Sequence, residues 1–197
     1  IRVRWMLEEL GRPYRVETVP LRDKSPDHVA QQPFAQVPFI RDGDLTLFES
    51  GAILLHLAED TVLMPGDRRP QVQQWLIAAL NSIEPFIMAW IVNKFFDKDE
   101  AGAARREPLL RQRLEQLQAS LGDRDWLMGD SFTVADLLMA DILRATARVP
   151  GFRAAARVEL VEASAHLRGV QRDRLGPVTH LESASDIPDN PLFLIAN

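Results

Sequence analysis

Between Phe34 and Ile53 the chain carries a set of signals in strict order. They are Val37-Pro38, the apolar pair Phe39-Ile40, the turn pair Asp42-Gly43, the run Leu45-Thr46-Leu47-Phe48, and then Glu49-Ser50-Gly51. An Asp-Gly pair between two short apolar runs is a strong hairpin signal. A hairpin closed there brings Val37-Pro38 and Glu49-Ser50 to the same edge of one small sheet. A proline directly before a strand has no N–H for the ladder, and such a tight entry is where a cis peptide is tolerated. Ser50 is placed to cap a helix running from Gly51 to about Glu59, with Ile53, Leu54, Leu57 and Ala58 apolar.

This edge has a chemical meaning. A cis Val37–Pro38 bond would turn the Val37 N–H and C=O toward a ligand backbone, which could pair with them as an added strand. Ser50 offers a hydroxyl and a backbone N–H at a helix N-terminus, a setting that favours a carboxylate. Glu49 can accept from an ammonium. The pair therefore suits the zwitterionic end of an amino acid, and the whole edge suits a peptide such as γ-glutamyl-cysteinyl-glycine. Each piece has a plainer reading: Val-Pro as a turn, Glu-Ser as a cap. It is their joint spacing around the hairpin that points to a ligand.

Around this block the chain divides into two regimes. Residues 1 to about 63 mix short apolar runs with turn residues, and 71–197 is predicted as a helical domain ending in an irregular tail. The join is Met64-Pro65-Gly66-Asp67-Arg68-Arg69-Pro70. In the first regime Val3, Met6, Leu7 and Leu10 share a helical face that stops at Gly11, and residues 14–19 alternate as a strand does. Residues 22–33 are polar and hold a loop or short helix. In the second, helices are predicted over about 71–96, with a bend at Pro85, over 105–121, and from Thr133 to about Val149. Thr133-Val134-Ala135-Asp136 reads as a capping box, with Phe132 and Leu137 as its hydrophobic staple. A further helix is predicted over 152–170, and 171–197 is read as irregular.

Composition narrows the function classes. The 197 residues are 46% hydrophobic and 26% charged, as in a globular protein, and contain no cysteine, which removes disulfides and Cys-based redox or zinc chemistry within them. The net charge of −5 is interspersed rather than striped, so no nucleic acid or anionic membrane is expected as partner. No run approaches about 18 uninterrupted apolar residues, so no membrane span is expected. The start, Ile1-Arg2-Val3-Arg4-Trp5, lacks the features of a signal peptide, and a cytoplasmic location is expected. His28, His56, His166 and His180 share no ligand spacing, so no metal site is expected. Asp97 to Gly102 faintly resembles a calcium loop, but Ala101 and Pro108 stand at ligand positions, and the stretch reads as a solvated helix end.

Residues 1–11, the block from Phe34 to Ile53 and Thr133-Val134-Ala135-Asp136 together resemble cytosolic glutathione S-transferases of bacterial type, over about residues 1–150. The resemblance implies an α/β thioredoxin-like N-terminal domain, residues 1–63, followed by the all-α helical domain. It implies glutathione as co-substrate, with no further cofactor, held by Gln36, Val37, Pro38, Glu49 and Ser50, with Pro38 cis. It implies conjugation of the glutathione thiolate to a small hydrophobic electrophile, as in detoxification, by a homodimer. Trp90, Asn93 and Phe96 are candidates for the electrophile pocket, core packing being the competing role for Trp90. A glutathione-dependent isomerase, dehalogenase or peroxidase, or a non-catalytic binding module, is the alternative on the same scaffold.

The chain departs from the family in two places. The first strand, with the Tyr, Ser or Cys that serves the glutathione sulfur, is expected to lie before Ile1, so the catalytic residue is unassigned. Without that interior strand, its two neighbours would carry unpaired ladders. The second departure is residues 153–197, which do not resemble the family's final segment.

Overall fold

Val3, Met6 and Leu7 recur at helical spacing, and Arg2–Glu9 forms the first helix, α1, with these side chains and Trp5 buried. Gly11, at φ +60°, ends it in the left-handed conformation that a residue with a Cβ adopts only at a cost. Then come β1 (Tyr14–Thr18), α2 (Pro26–Gln31), β2 (Phe39–Asp42), β3 (Leu45–Phe48) and α3 (Ser50–Ala58). The computed structural model describes residues 1–20, 22–146 and 192–196. The chain divides into two compact units, Ile1–Glu59 with Val170–Asn197, and Asp60–Gly169.

In the first unit β2 and β3 pair antiparallel, with Phe39 opposite Phe48 and Asp42 opposite Leu45. Gly43 and Asp44 are therefore the turn, and the positive φ at Gly43 matches the hairpin turn whose first central residue is glycine. The interior position expected to be empty is filled. Leu192–Ala196 forms β4, and the strand order is β1-β4-β2-β3. β4 runs parallel to β1, with Thr18 opposite Ala196, and antiparallel to β2, with Phe39 opposite Ile195. This corrects the reading of 171–197 as an irregular tail of the helical domain. An interior strand is an unbroken apolar run without alternation, and a five-residue run gives local pattern reading no periodicity to detect.

The second unit is helical: α4 (Arg69–Ala78), α5 (Glu84–Ile91), α6 (Glu100–Leu121) and α7 (Val134–Leu143). The expected single helix over 71–96 is interrupted by π-helical turns at Ala79–Ile83 and Val92–Phe96. The first lies directly before Pro85, whose ring and missing N–H disturb the regular ladder, and it takes up the mismatch. Together Gly66–Phe96 is long and apolar enough, by length and composition, to cross a bilayer, although polar residues interrupt its apolar runs. Its buried residues Val72, Leu76, Ala79, Ile83, Ile87 and Trp90 belong to the core of this unit, where α4 packs on α7 and α5 on α6.

α6 begins earlier than the predicted 105, because Asp99 caps it, its Oδ1 accepting from the Gly102 N–H at 2.8 Å. Asp136 is fully buried; its carboxylate accepts from the N–H and hydroxyl of Thr133 at 2.9 and 2.8 Å and from the Leu127 N–H at 2.7 Å. Burial pushes its carboxyl above the usual range, against these hydrogen bonds. Phe132 stacks edge-on against Trp126 at 4.9 Å. Leu63 and Met64 are buried in this unit, and the Leu63 carbonyl accepts from the Val134 N–H at 3.0 Å, so the boundary falls before the predicted join at 64–70. The helix predicted over 152–170 lies outside the described residues.

Asp42, at the turn end of β2, ties three elements of the first unit. It accepts from Arg12, beyond α1, at 2.9 and 2.8 Å, and from the His56 Nε2 of α3 at 3.0 Å. Burial would raise its carboxyl, but the His56 hydrogen bond and the Arg12 charge outweigh it and hold the group below its ordinary value. A depressed folded-state pKa stabilises the fold above the ordinary carboxylate range, and this contribution is lost as pH falls through the depressed value. Asp42→Asn should therefore cost about 1 kcal/mol at pH 7, Arg12 being partly solvated. In urea titrations at pH 7 and pH 3 the gap between variant and wild type should shrink at the lower pH. A gap independent of pH would contradict the assignment.

Candidate functional site

The pairing of Phe39 with Phe48 places the residues just before β2 and just after β3 at one end of the hairpin. Val37-Pro38 and Glu49-Ser50 thus stand together, and the Val37–Pro38 bond is cis. The same end of the sheet carries Thr18 and Ala196, since β1 and β4 finish there. The opposite end carries the Gly43-Asp44 turn and Tyr14.

Glu49 is the N-cap of α3 and holds φ 66°, ψ 114°. A glutamate in that region is sterically disfavoured, and non-glycine residues held so concentrate where a backbone must present groups to a ligand. Its side chain is exposed and makes no hydrogen bond or ion pair among the described residues. Ser50 is the first residue of α3; its hydroxyl, half-buried, accepts from the Arg2 guanidinium at 3.3 Å. Arg2 opens α1, so this contact brings the N-terminal ends of α1 and α3 together. Both present the positive end of a helix dipole, and Arg2 adds a full charge. This corner of the unit favours an anion, with the Glu49 carboxylate beside it for a cation.

The loop that delivers Val37 is held from behind. Ser25 caps α2 by accepting from the His28 N–H at 3.2 Å. His28, only 5% exposed, packs edge-on against Phe39 at 5.1 Å and hydrogen-bonds the Gln36 carbonyl through Nε2 at 2.9 Å. The buried Gln32 side-chain oxygen accepts from the N–H groups of Phe34 at 2.7 Å and Gln36 at 3.2 Å. Between them Ala35 takes φ +53°. The Gln36 side chain is left exposed at the lip of the site.

Sequence reasoning missed this support. It placed residues 22–33 in a polar loop or short helix and gave His28 a bland role. The Ser-Pro pair at 25–26, a cap followed by proline at the first helical position, was the available signal for α2.

Tyr14, the lone tyrosine, is directed elsewhere. Its hydroxyl donates to Glu8 at 2.6 Å and accepts from the Arg4 Nε at 3.3 Å, and burial, reinforced by Glu8, raises its pKa above the ordinary phenol value. Of the pocket candidates in the second unit, Trp90 is buried and stacks on Phe95 at 5.8 Å, and Phe96 is exposed. Asn93 donates to Asp99 at 3.0 Å, accepts from Arg106 at 2.8 Å, and lines an open cleft of about 550 Å³ with Phe86, Arg105 and Leu109. Trp90 and Phe96 do not line that cleft. Among the described residues no group of three or more His, Asp or Glu side chains could hold a metal.

Residues 1–59 match the family model described as glutathione S-transferase, N-terminal domain, and residues 79–162 match the corresponding C-terminal domain. Residues 137–197 also match a model described as a putative S-adenosyl-L-methionine-dependent methyltransferase. The chain is 33% identical to glutathione S-transferase 4 of Zea mays over 145 residues, 66% of this chain and 65% of that one. It is 34% identical to a probable glutathione S-transferase of Oryza sativa subsp. japonica over 149 residues, 67% of this chain and 68% of that one. It spans less than two thirds of the Zea mays protein and 59% of glutathione S-transferase F10 of Arabidopsis thaliana. Among solved structures, a glutathione transferase from Pseudomonas putida with glutathione disulfide bound superposes with TM-score 0.72 at 27% identity, over 86% of this chain and 81% of that one. A Burkholderia graminis glutathione transferase, with two glutathione molecules bound per subunit, gives TM-score 0.64 at 29% identity over 91% and 79%.

Gln32→Leu removes the acceptor of two loop amides inside the protein. It should destabilise the first unit by about 2–4 kcal/mol, read by chemical denaturation. It should also speed hydrogen exchange at Phe34 and Gln36. A cost below about 0.5 kcal/mol would show that the loop does not depend on this side chain.

Proposed function

The chain belongs to the glutathione S-transferase family, and from that premise we propose that it binds glutathione at the Val37–Ser50 edge and transfers its thiolate to a small hydrophobic electrophile. The observation that carries this reading is the convergence of the Glu49 carboxylate, the Ser50 hydroxyl and the N-terminal ends of α1 and α3 at one corner. The α-carboxylate of the γ-glutamyl residue docks on Ser50 and the first-turn amides of α3. Its ammonium pairs with Glu49. The Val37 backbone pairs with the cysteinyl residue in strand fashion, and Gln36 and Pro38 border the peptide. The thiol then lies toward the start of α1, whose positive end favours the thiolate over the thiol. Tyr14 is remote from this end and stays protonated, so it takes no part.

The reading needs no metal or organic cofactor. The electrophile's pocket is assigned to the second unit, whose apolar helices offer such a surface. The bacterial type is supported by the bacterial transferases among the similar solved structures. A soluble, cytoplasmic homodimer without nucleic-acid or membrane partners completes the proposal, supported by the interspersed net charge of −5. The glutathione-binding domain in this reading is the unit of Ile1–Glu59 with the strand Leu192–Ala196, and the helical domain begins at Asp60.

The test pairs calorimetric titration of glutathione with a conjugation assay on an activated chloroaromatic. Ser50→Ala should raise the glutathione KM and Kd at least about tenfold, the loss of one hydrogen bond to a charged group. Its kcat at saturating glutathione should change little, since the lost contact is made equally in ground and transition states. An unchanged KM would remove the assignment. Binding without turnover would favour a non-catalytic module.

A further inference from the structure

The sheet of the first unit takes its interior strand from the far end of the chain, and its continuity rests on that strand. In the order β1-β4-β2-β3, β4 is the only strand beside β1 among the described residues. With the slot vacant, Tyr14–Thr18 has no ladder and the β2–β3 hairpin stands alone, a structure marginal in water. The occupant fits the slot. In sequence, Leu192-Phe193-Leu194-Ile195-Ala196 is a continuous apolar run, the composition that interior strands carry. Arg41 of β2 and Glu17 of β1 form an ion pair at 2.8 Å across the slot, although their strands are not neighbours. β4 also reaches the ligand edge, because Ile195 pairs with Phe39, the residue that follows Pro38.

We infer that the slot between β1 and β2 is a strand-receiving site whose occupant is the chain's own Leu192–Ala196, and that ligand binding at the Val37–Ser50 edge is conditional on its occupancy. β4 fixes Phe39 from the side opposite β3, and so holds the Val37–Pro38 turn against Glu49–Ser50. When the strand leaves, β2 becomes an edge, the turn loses its fixed distance from α3, and the site comes apart while the second unit stands. The ligand in this inference rests on the glutathione reading above; the occupancy of the slot does not.

The experiment uses the full chain as wild type, Leu194→Pro and Leu194→Val, followed by hydrogen exchange of residues 14–18 and 39–42 and by glutathione titration. Proline removes a ladder donor at the centre of β4, whereas valine keeps it. Leu194→Pro should lose protection about a hundredfold in both peptides, bind glutathione at least about tenfold more weakly, and keep the protection of α6 and α7. Leu194→Val should match wild type. Unchanged protection in Leu194→Pro would overturn the slot assignment, and lost protection with unchanged affinity would overturn the conditional role. If wild type itself does not bind glutathione, the ligand reading fails and the exchange comparison still decides occupancy. Should Leu194→Pro unfold throughout, Ile40→Cys/Leu194→Cys decides instead. These residues are opposite in the ladder and the chain has no other cysteine, so oxidation should close one intramolecular disulfide. Its failure to form would overturn the assignment.

Discussion

The antiparallel register that sets Phe39 against Phe48 decides where every group of the candidate site stands. Because side chains alternate faces with a period of two, a slip of one residue would exchange the faces of the whole hairpin. It would expel Ile40, which is fully buried, from the face it shares with Leu47. The register also sets the spacing between Pro38 and Glu49, and so the span a ligand must bridge. Two features pin it. The Gly43-Asp44 turn admits only one closure, and Asp42, held by Arg12 and His56, anchors the turn end to the segment after α1 and to α3.

At the other end the same hairpin is left open to a ligand, and the polar groups there differ in kind from those at the turn. Asp42 is already satisfied by two partners and serves stability. Glu49 is exposed, held at a positive φ, and makes no side-chain contact among the described residues. Strain at a residue with no structural bond to repay it is an argument for function. The loop before β2 is rigid for a similar reason: His28 and Gln32, both buried, consume the backbone groups of residues 34–36 that would otherwise compete for the ligand.

Much of this was legible in the sequence because it is local. The hairpin at Gly43, the helix after Glu49, the amphipathic α1 stopped by Gly11 and the capping box at Thr133-Asp136 each depend on residues close in sequence; the cap expected of Ser50 is not made, because Ser50 is already the first residue of α3 and Glu49 stands at the cap. What was not legible depends on distant pairing or on cooperative adjustment. β4 pairs with residues more than a hundred positions away, and its unbroken apolar run looks the same in a tail as in a sheet centre. Pro85 announces a disturbance of the long helix, but that it takes the form of a π-helical turn at Ala79–Ile83, with a second at Val92–Phe96, has no local signal. The role of His28 has no local signal, because it depends on burial against Phe39 and on the Gln36 carbonyl eight positions on.

The central claim is that the Glu49–Ser50 corner grips both charges of a γ-glutamyl α-amino acid. Titration of glutathione against its N-acetyl derivative, in which the α-ammonium is blocked and the α-carboxylate kept, tests it most directly. The account predicts that the blocked peptide binds at least about tenfold more weakly, and that Glu49→Gln erases most of that difference. Equal affinity of the two peptides for the wild-type protein would contradict it.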